Sequence, residues 1–140
     1  MNLTKDQKYI DEMLKLAEDV KPVAAARIAA CLVKKNSIIA YGFNTLKSHP
    51  LQKKFGRNND SIFLHAETSV IKNALMHFHD PDILNGSVMY VARVKHPNYR
   101  DKSFIPGLAC PCEGCQRAIL EFGIKNVAYT LNDSGFDYLF

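Results

Sequence analysis

The chain has 140 residues, 47% hydrophobic, 23% charged and 10% aromatic, a balance that excludes a disordered tail, a collagen-like fibre and a coiled coil. A domain of this size buries roughly 68–70% of its unfolded surface, enough for a core without disulfide staples, so one domain over residues 1–140 is expected. No stretch approaches the ~20 consecutive apolar residues of a membrane span, and the start MNLTKDQKYIDEML lacks the basic-then-apolar order of a secretory leader.

In chain order, the spacing of Ile10, Met13, Leu14 and Ala17 predicts a helix from Thr4 to about Val20, with Thr4 as N-cap and Pro22 closing it. Two apolar runs, Ala26–Val33 and Ile38–Asn44, flank Lys34-Lys35-Asn36-Ser37 and predict an antiparallel hairpin. Residues 47–60 are irregular and polar, a loop. His65 to Phe78 has a helical period, Ser87–Val94 reads as a buried strand, and residues 95–110 as a second loop rich in proline and basic residues. Cys112–Phe122 is a short helix with Gly123 as its cap, followed by a strand over Asn126–Leu131 and an aromatic tail after Asp133-Ser134-Gly135. The later units are βαβ-like, which requires a parallel pairing with helices covering the sheet: an α/β fold.

Net charge is +4, a mild bias that suits a phosphorylated ligand better than a dedicated nucleic-acid binder. Three of the four cysteines, Cys110, Cys112 and Cys115, crowd together with a CxxC spacing. That pattern fits a reduced, cytoplasmic protein using thiolates for metal or redox chemistry, and Cys31, in an apolar strand, reads as a small core residue. Cys112 and Cys115 in the first turn of a helix share one face and can share a metal, and the helix N-terminus favours ionisation of both sulfurs. His65, at the mouth of another helix, supplies a nitrogen ligand. Glu67 can approach the same centre only at the irregular first turn. A redox pair has no need of the remote His65-Ala66-Glu67, and a structural zinc would need a fourth ligand, for which His49, His77, His79, His96, Cys31 and Cys110 are the stock. Three ligands and an open position are the arithmetic of a catalytic zinc.

His65-x-Glu67 followed by Pro111-Cys112-x-x-Cys115 resembles the H-x-E…P-C-x-x-C pattern of the zinc-dependent cytidine/deoxycytidylate deaminase superfamily. More narrowly the chain resembles the small deoxycytidylate-deaminase-like proteins of bacteriophages. The resemblance spans about residues 26–131 and implies a three-layer α/β/α cytidine-deaminase-like fold with a mixed sheet. The basic loop before Cys112 is longer than in many relatives. A fifth strand and a final helix are expected to be missing or vestigial, truncating the fold at the C-terminus.

The same resemblance implies Zn2+ held by His65, Cys112 and Cys115, attack of the activated water at C4 of a cytosine ring, and Glu67 as proton shuttle. Backbone groups at Ala66 and Cys110 are implied to hold the exocyclic amine and the carbonyl. Tyr41-Gly42-Phe43-Asn44 resembles the strand-end G-[YF]-N whose Asn44 position contacts the sugar. Arg57, Arg93 and Arg100 are phosphate candidates, and Ser48 and His49 are phosphate or sugar candidates. The expected reaction is dCMP to dUMP plus ammonia, in the cytoplasm (the host's for a phage protein). Copies of the chain are expected to assemble, as the family commonly does. The alternatives are a cytidine or deoxycytidine nucleoside deaminase, an RNA- or single-stranded-DNA-editing deaminase, which needs a basic groove with stacking aromatics, and a non-catalytic zinc-stabilised binding module.

Overall fold

The computed structural model describes residues 3–23, 25–45 and 65–140. Helix α1 (Leu3–Glu18) comes first. It begins one residue before Thr4, which therefore sits inside the first turn and is not its cap; Pro22 follows the helix end at a distance. Strands β1 (Arg27–Lys34) and β2 (Ser37–Phe43) form the expected hairpin. Its two-residue turn, Lys35-Asn36, has φ of 52° and 65°, the left-handed pair that matches strand twist. The register slips between Leu32 and Val33, a bulge that lets the hairpin bend.

Helix α2 spans Ala66–Phe78, β3 Val88–Lys95, β4 Ile105–Gly107, α3 Glu113–Glu121, β5 Asn126–Thr130 and β6 Phe136–Tyr138. The sheet order is β2-β1-β3-β5-β6. Only β3 and β5 pair in parallel, the other pairings being antiparallel, so the sheet is mixed. The β3 strand is shared lengthwise: residues 88–91 face β5, while residues 93–95 face β4. Strand β4 therefore fills the space beyond the point where the β3–β5 pairing stops.

Alternation along the strands loads both faces. Ala30, Leu32, Met89, Val91 and Val127 pack under α2 and α3. Ala29, Cys31, Tyr90, Ala92 and Ala128 pack under α1, against Tyr9, Ile10, Met13 and Ala17. Three layers, α/β/α, result. Cys31 is wholly buried, as its apolar setting predicts. No helix among the described residues is long and apolar enough to cross a membrane.

Two short strands correct the sequence reading. Residues 95–110 are not all loop: Ile105-Pro106-Gly107 is β4, whose three residues show no periodicity and are held by backbone pairing to β3. The tail after Gly135 is not a bare extension either. It returns as β6, antiparallel to β5, so the C-terminal sheet edge carries a sixth strand. The expectation that a fifth strand is missing or vestigial is corrected: the sheet has six strands, and β5 is held on one side by β3 and on the other by β6.

Candidate metal centre and active site

The strand order places β2, β3 and β5 parallel to one another, so the segments leaving their C-terminal ends share one end of the sheet. His65 and Cys112 both occupy N-cap positions there. His65 precedes α2 with φ −76° and ψ 158°, and Cys112 precedes α3 with φ −67° and ψ 167°; neither side chain caps its helix. That extended backbone turns both side chains away from the helix axes and toward each other. Cys115, one turn into α3, joins them.

The Nδ1 of His65 lies 3.5 Å from Cys112 Sγ and 3.4 Å from Cys115 Sγ, and the three donor atoms fall within 4.8 Å of one another. A tetrahedral zinc with bonds of about 2.0 Å to nitrogen and about 2.3 Å to sulfur sets those atoms about 3.5 Å apart. The residues fit the ion in donor type and in spacing. Among the described residues no other group of three such donors forms. His77 instead packs edge-on against Phe78, and His79 closes α2 in a left-handed conformation.

Glu67 sits at the second position of α2, 6% exposed. Burial pushes its carboxyl pKa up, with His65 opposing and Cys112 adding to the rise; the Cys115 thiol donates a hydrogen bond to it. A buried carboxyl of raised pKa beside a metal-binding cluster has the character of a proton-transfer group. The two cysteines are not equivalent. The hydrogen bond from Cys115 brings the Cys112 thiol down to about 4, while the same bond and burial hold Cys115 well above its ordinary value. Without the metal, Cys112 thus gives up its proton more readily than Cys115, whose proton is held by its bond to Cys112 and by burial. Metal binding displaces such a proton.

Helix α2 is pressed onto the end of β2 to put Glu67 there. Asn73 Nδ2 donates to Tyr41 O at 2.7 Å, and Phe43 N donates to Ser69 Oγ at 3.4 Å. Between these bonds Gly42 meets the α2 backbone, where a Cβ would stand 2.3 Å from Val70 N and 2.7 Å from Ala66 O. Gly42 is thus a packing requirement of the metal-binding helix, which the sequence reading missed. An isolated glycine inside a strand pattern is the signal for such a close approach.

A second device holds the strap into Cys112. The buried Thr130 hydroxyl donates to Gly107 O at 2.6 Å and accepts from Arg93 N at 3.1 Å, and Thr130 O accepts from Ala109 N at 3.0 Å. Leu108 N donates to Asn132 Oδ1 at 3.0 Å, and Pro111 O accepts from Gln116 Nε2 at 2.9 Å. The exposed Cys110 turns its thiol to the Tyr129 hydroxyl and is not one of the three clustered donors. No sequence pattern singles out Thr130.

The fold brings His65, Ala66, Glu67, Cys112 and Cys115 together. Asn44 is buried at the end of β2, where its Oδ1 accepts from Ile28 N and its Nδ2 donates to Ala26 O, both at 2.9 Å; it pins the start of β1. Arg100 stands in the exposed excursion between β3 and β4, its Nε donating to the Tyr99 hydroxyl at 3.0 Å. Ser48, His49 and Arg57 lie outside the described residues.

A family model for the cytidine and deoxycytidylate deaminase zinc-binding region matches residues 3–131. Among solved structures, the dCMP deaminase of the cyanophage S-TIM5 in apo form aligns over 94% of this chain and 86% of its own, at TM-score 0.61 and 22% identity. Its complex with dCMP and dUMP aligns over 94% and 84%, at TM-score 0.57 and 19% identity. A cytidine deaminase from Burkholderia pseudomallei aligns over 94% and 89%, at TM-score 0.62 and 18% identity. At these identities the likeness is one of fold. No curated protein sequence matches the chain.

Proposed function

Because the chain belongs to the zinc-binding cytidine and deoxycytidylate deaminase family, we propose that it hydrolyses the amino group of a cytosine nucleotide, converting dCMP and water to dUMP and ammonia. The observation that carries this reading is the meeting of His65, Cys112 and Cys115 with the buried Glu67 at two helix N-termini. Zinc held by the three ligands supplies Lewis acidity and a nucleophilic water at neutral pH.

The chain's own groups do the rest. Glu67, whose burial raises its affinity for a proton, takes one proton from the attacking water and passes it to N3 of the ring, then takes the second from the new C4 hydroxyl and delivers it to the departing amine. The two helix N-termini direct positive potential at the negative charge that develops on the ring. Backbone groups at Ala66 and Cys110 orient the exocyclic amine and the carbonyl. Asn44 keeps one N–H and one lone pair for a sugar hydroxyl after its two bonds to the β1 backbone.

The nucleotide level is supported by the net charge of +4 and by the likeness to a phage dCMP deaminase. The reduced cytoplasm is the matching compartment for four free thiols. Self-association belongs to the same proposal, since β2 is the edge strand of the sheet among the described residues and Tyr41 and Met76 are exposed.

The test is ammonia release by the zinc-loaded protein on cytosine, cytidine, deoxycytidine, CMP, dCMP and a short deoxycytidine oligonucleotide. Turnover of dCMP above deoxycytidine supports the proposal. Turnover of nucleosides alone replaces it with a nucleoside deaminase, and of the oligonucleotide alone with an editing enzyme.

A further inference from the structure

Arg93 stands near the C-terminal end of β3. Two and four residues before it, Val91 and Met89 lie in the core beneath α2 and α3, while Tyr90, Ala92 and Val94 lie on the α1 side. Alternation therefore puts Arg93 on the face that carries the metal cluster. Across the ladder it pairs with Ile28, packed against that same core, and on its other side with Gly107. Gly107 leaves room for the arginine stem: a Cβ there would stand 3.2 Å from Arg93 Cγ and 3.3 Å from Cδ. From Gly107 the chain runs through Ala109 and Cys110 to Cys112.

The Arg93 Nε is buried with no hydrogen-bond partner, and no ion pair or hydrogen bond reaches its guanidinium among the described residues. Its basic neighbours are engaged. Arg27 donates to Val20 O and lies over the Phe104 ring, Lys95 binds Asn132 and Asp133, and Arg100 binds its own neighbour Tyr99. Arg93 as a whole is half-buried, and its Nε, withdrawn from water without an acceptor, leaves a desolvation cost unanswered. An anion with several oxygens, offered at its planar fork, answers it.

Resting on the cytosine-nucleotide reading above, we propose that Arg93 is the anchor for the 5′-phosphate, and hence the residue by which the enzyme tells a nucleotide from a nucleoside. Among the described residues, Arg27, Lys95 and Arg100 serve the fold, and Arg93 serves the ligand.

The experiment measures kcat/KM for dCMP and for deoxycytidine with zinc-loaded wild type, Arg93→Gln and Arg93→Lys, zinc content and thermal midpoint being read for each. The dCMP-over-deoxycytidine ratio is expected to fall about 50-fold in Arg93→Gln, chiefly through KM for dCMP, and about 5–10-fold in Arg93→Lys, which keeps the charge and loses the fork. Equal losses on both substrates, or an unchanged ratio, overturn the assignment. Should Arg93→Gln fail to fold, the ratio in Arg93→Lys decides in the same way. A wild type that does not prefer dCMP overturns the nucleotide reading itself, whereas a wild type that prefers it with variants of unchanged ratio overturns Arg93 alone.

Discussion

Gly42 on β2 and Val70 on α2 touch through their backbones: the site a Cβ on Gly42 would take is 2.3 Å from Val70 N and 2.7 Å from Val70 Cα. Backbone cannot retreat as a side chain tip can, so any side chain at 42 lifts the helix that begins at Glu67's turn. Gly42→Ala is expected to lower stability by about 1–3 kcal/mol through overpacking and to weaken zinc binding as His65 moves. A urea titration and a competitive zinc titration check this. A variant with wild-type zinc affinity would show that α2 tolerates the shift.

Glu67→Gln keeps the shape of a buried side chain and removes its proton transfer. Zinc content should stay at the wild-type level while kcat falls by about 10²–10⁴-fold. Metal analysis and ammonia release on the same sample separate the two quantities. Unaltered turnover would remove Glu67 from the mechanism.

Thiol labelling reads the metal centre without any substrate. Cys31 is wholly buried, and burial raises its thiol pKa, whereas Cys110 and Cys112 are exposed. In the zinc-loaded protein iodoacetamide should modify Cys110 and spare Cys112, and a chelator should open Cys112 to the reagent. Cys31 should react only after denaturation. Mass spectrometry of the peptides gives the answer, and labelling of Cys112 at equal rates with and without chelator would count against it as a ligand.

Thr130 positions the strap that carries Cys112 without touching the metal cluster. Thr130→Val removes the donor to Gly107 O and the acceptor for Arg93 N, leaving buried backbone groups unpaired at a cost of about 1–3 kcal/mol. Zinc affinity should fall along with stability, and Thr130→Ser should restore both. A valine variant that loses stability and keeps its zinc affinity would confine Thr130 to the fold.

Asp6 ties the N-terminal helix to both halves of the sheet. It accepts from the Tyr90 hydroxyl at 2.5 Å and from the Tyr138 hydroxyl at 2.6 Å, joining α1 to β3 and β6. Burial, then the bond to Asp6, pushes the Tyr138 pKa up to about 12, so the native state holds that proton longer than the unfolded chain. The contribution is complete below the unfolded value of about 10 and is lost as pH rises through the folded one. The urea midpoint of the wild type should therefore drop more steeply than that of Tyr138→Phe between those two values. Parallel curves would show that this hydroxyl contributes nothing.

The metal-binding pattern of the protein was legible in its sequence. Donor identity, the short gaps within His65-x-Glu67 and Cys112-x-x-Cys115, and the helices they open are local properties of consecutive residues, and folding brings His65, Cys112 and Cys115 together. Long periodic elements were legible for the same reason, as hydrophobic period reports directly on which face is buried. What the tertiary structure alone decided rests on backbone atoms far apart in the chain. The strands β4 and β6 are three residues each and exist only because β3 and β5 pair with them. Thr130 acquires its role from carbonyls 23 and amides 37 positions away. Gly42 is needed only because α2 crosses it. The differing acidities of the Cys112 and Cys115 thiols, and the unpartnered buried Nε of Arg93, likewise arise from neighbours that folding assembles, because desolvation and close approach are properties of a place in space and not of a residue type.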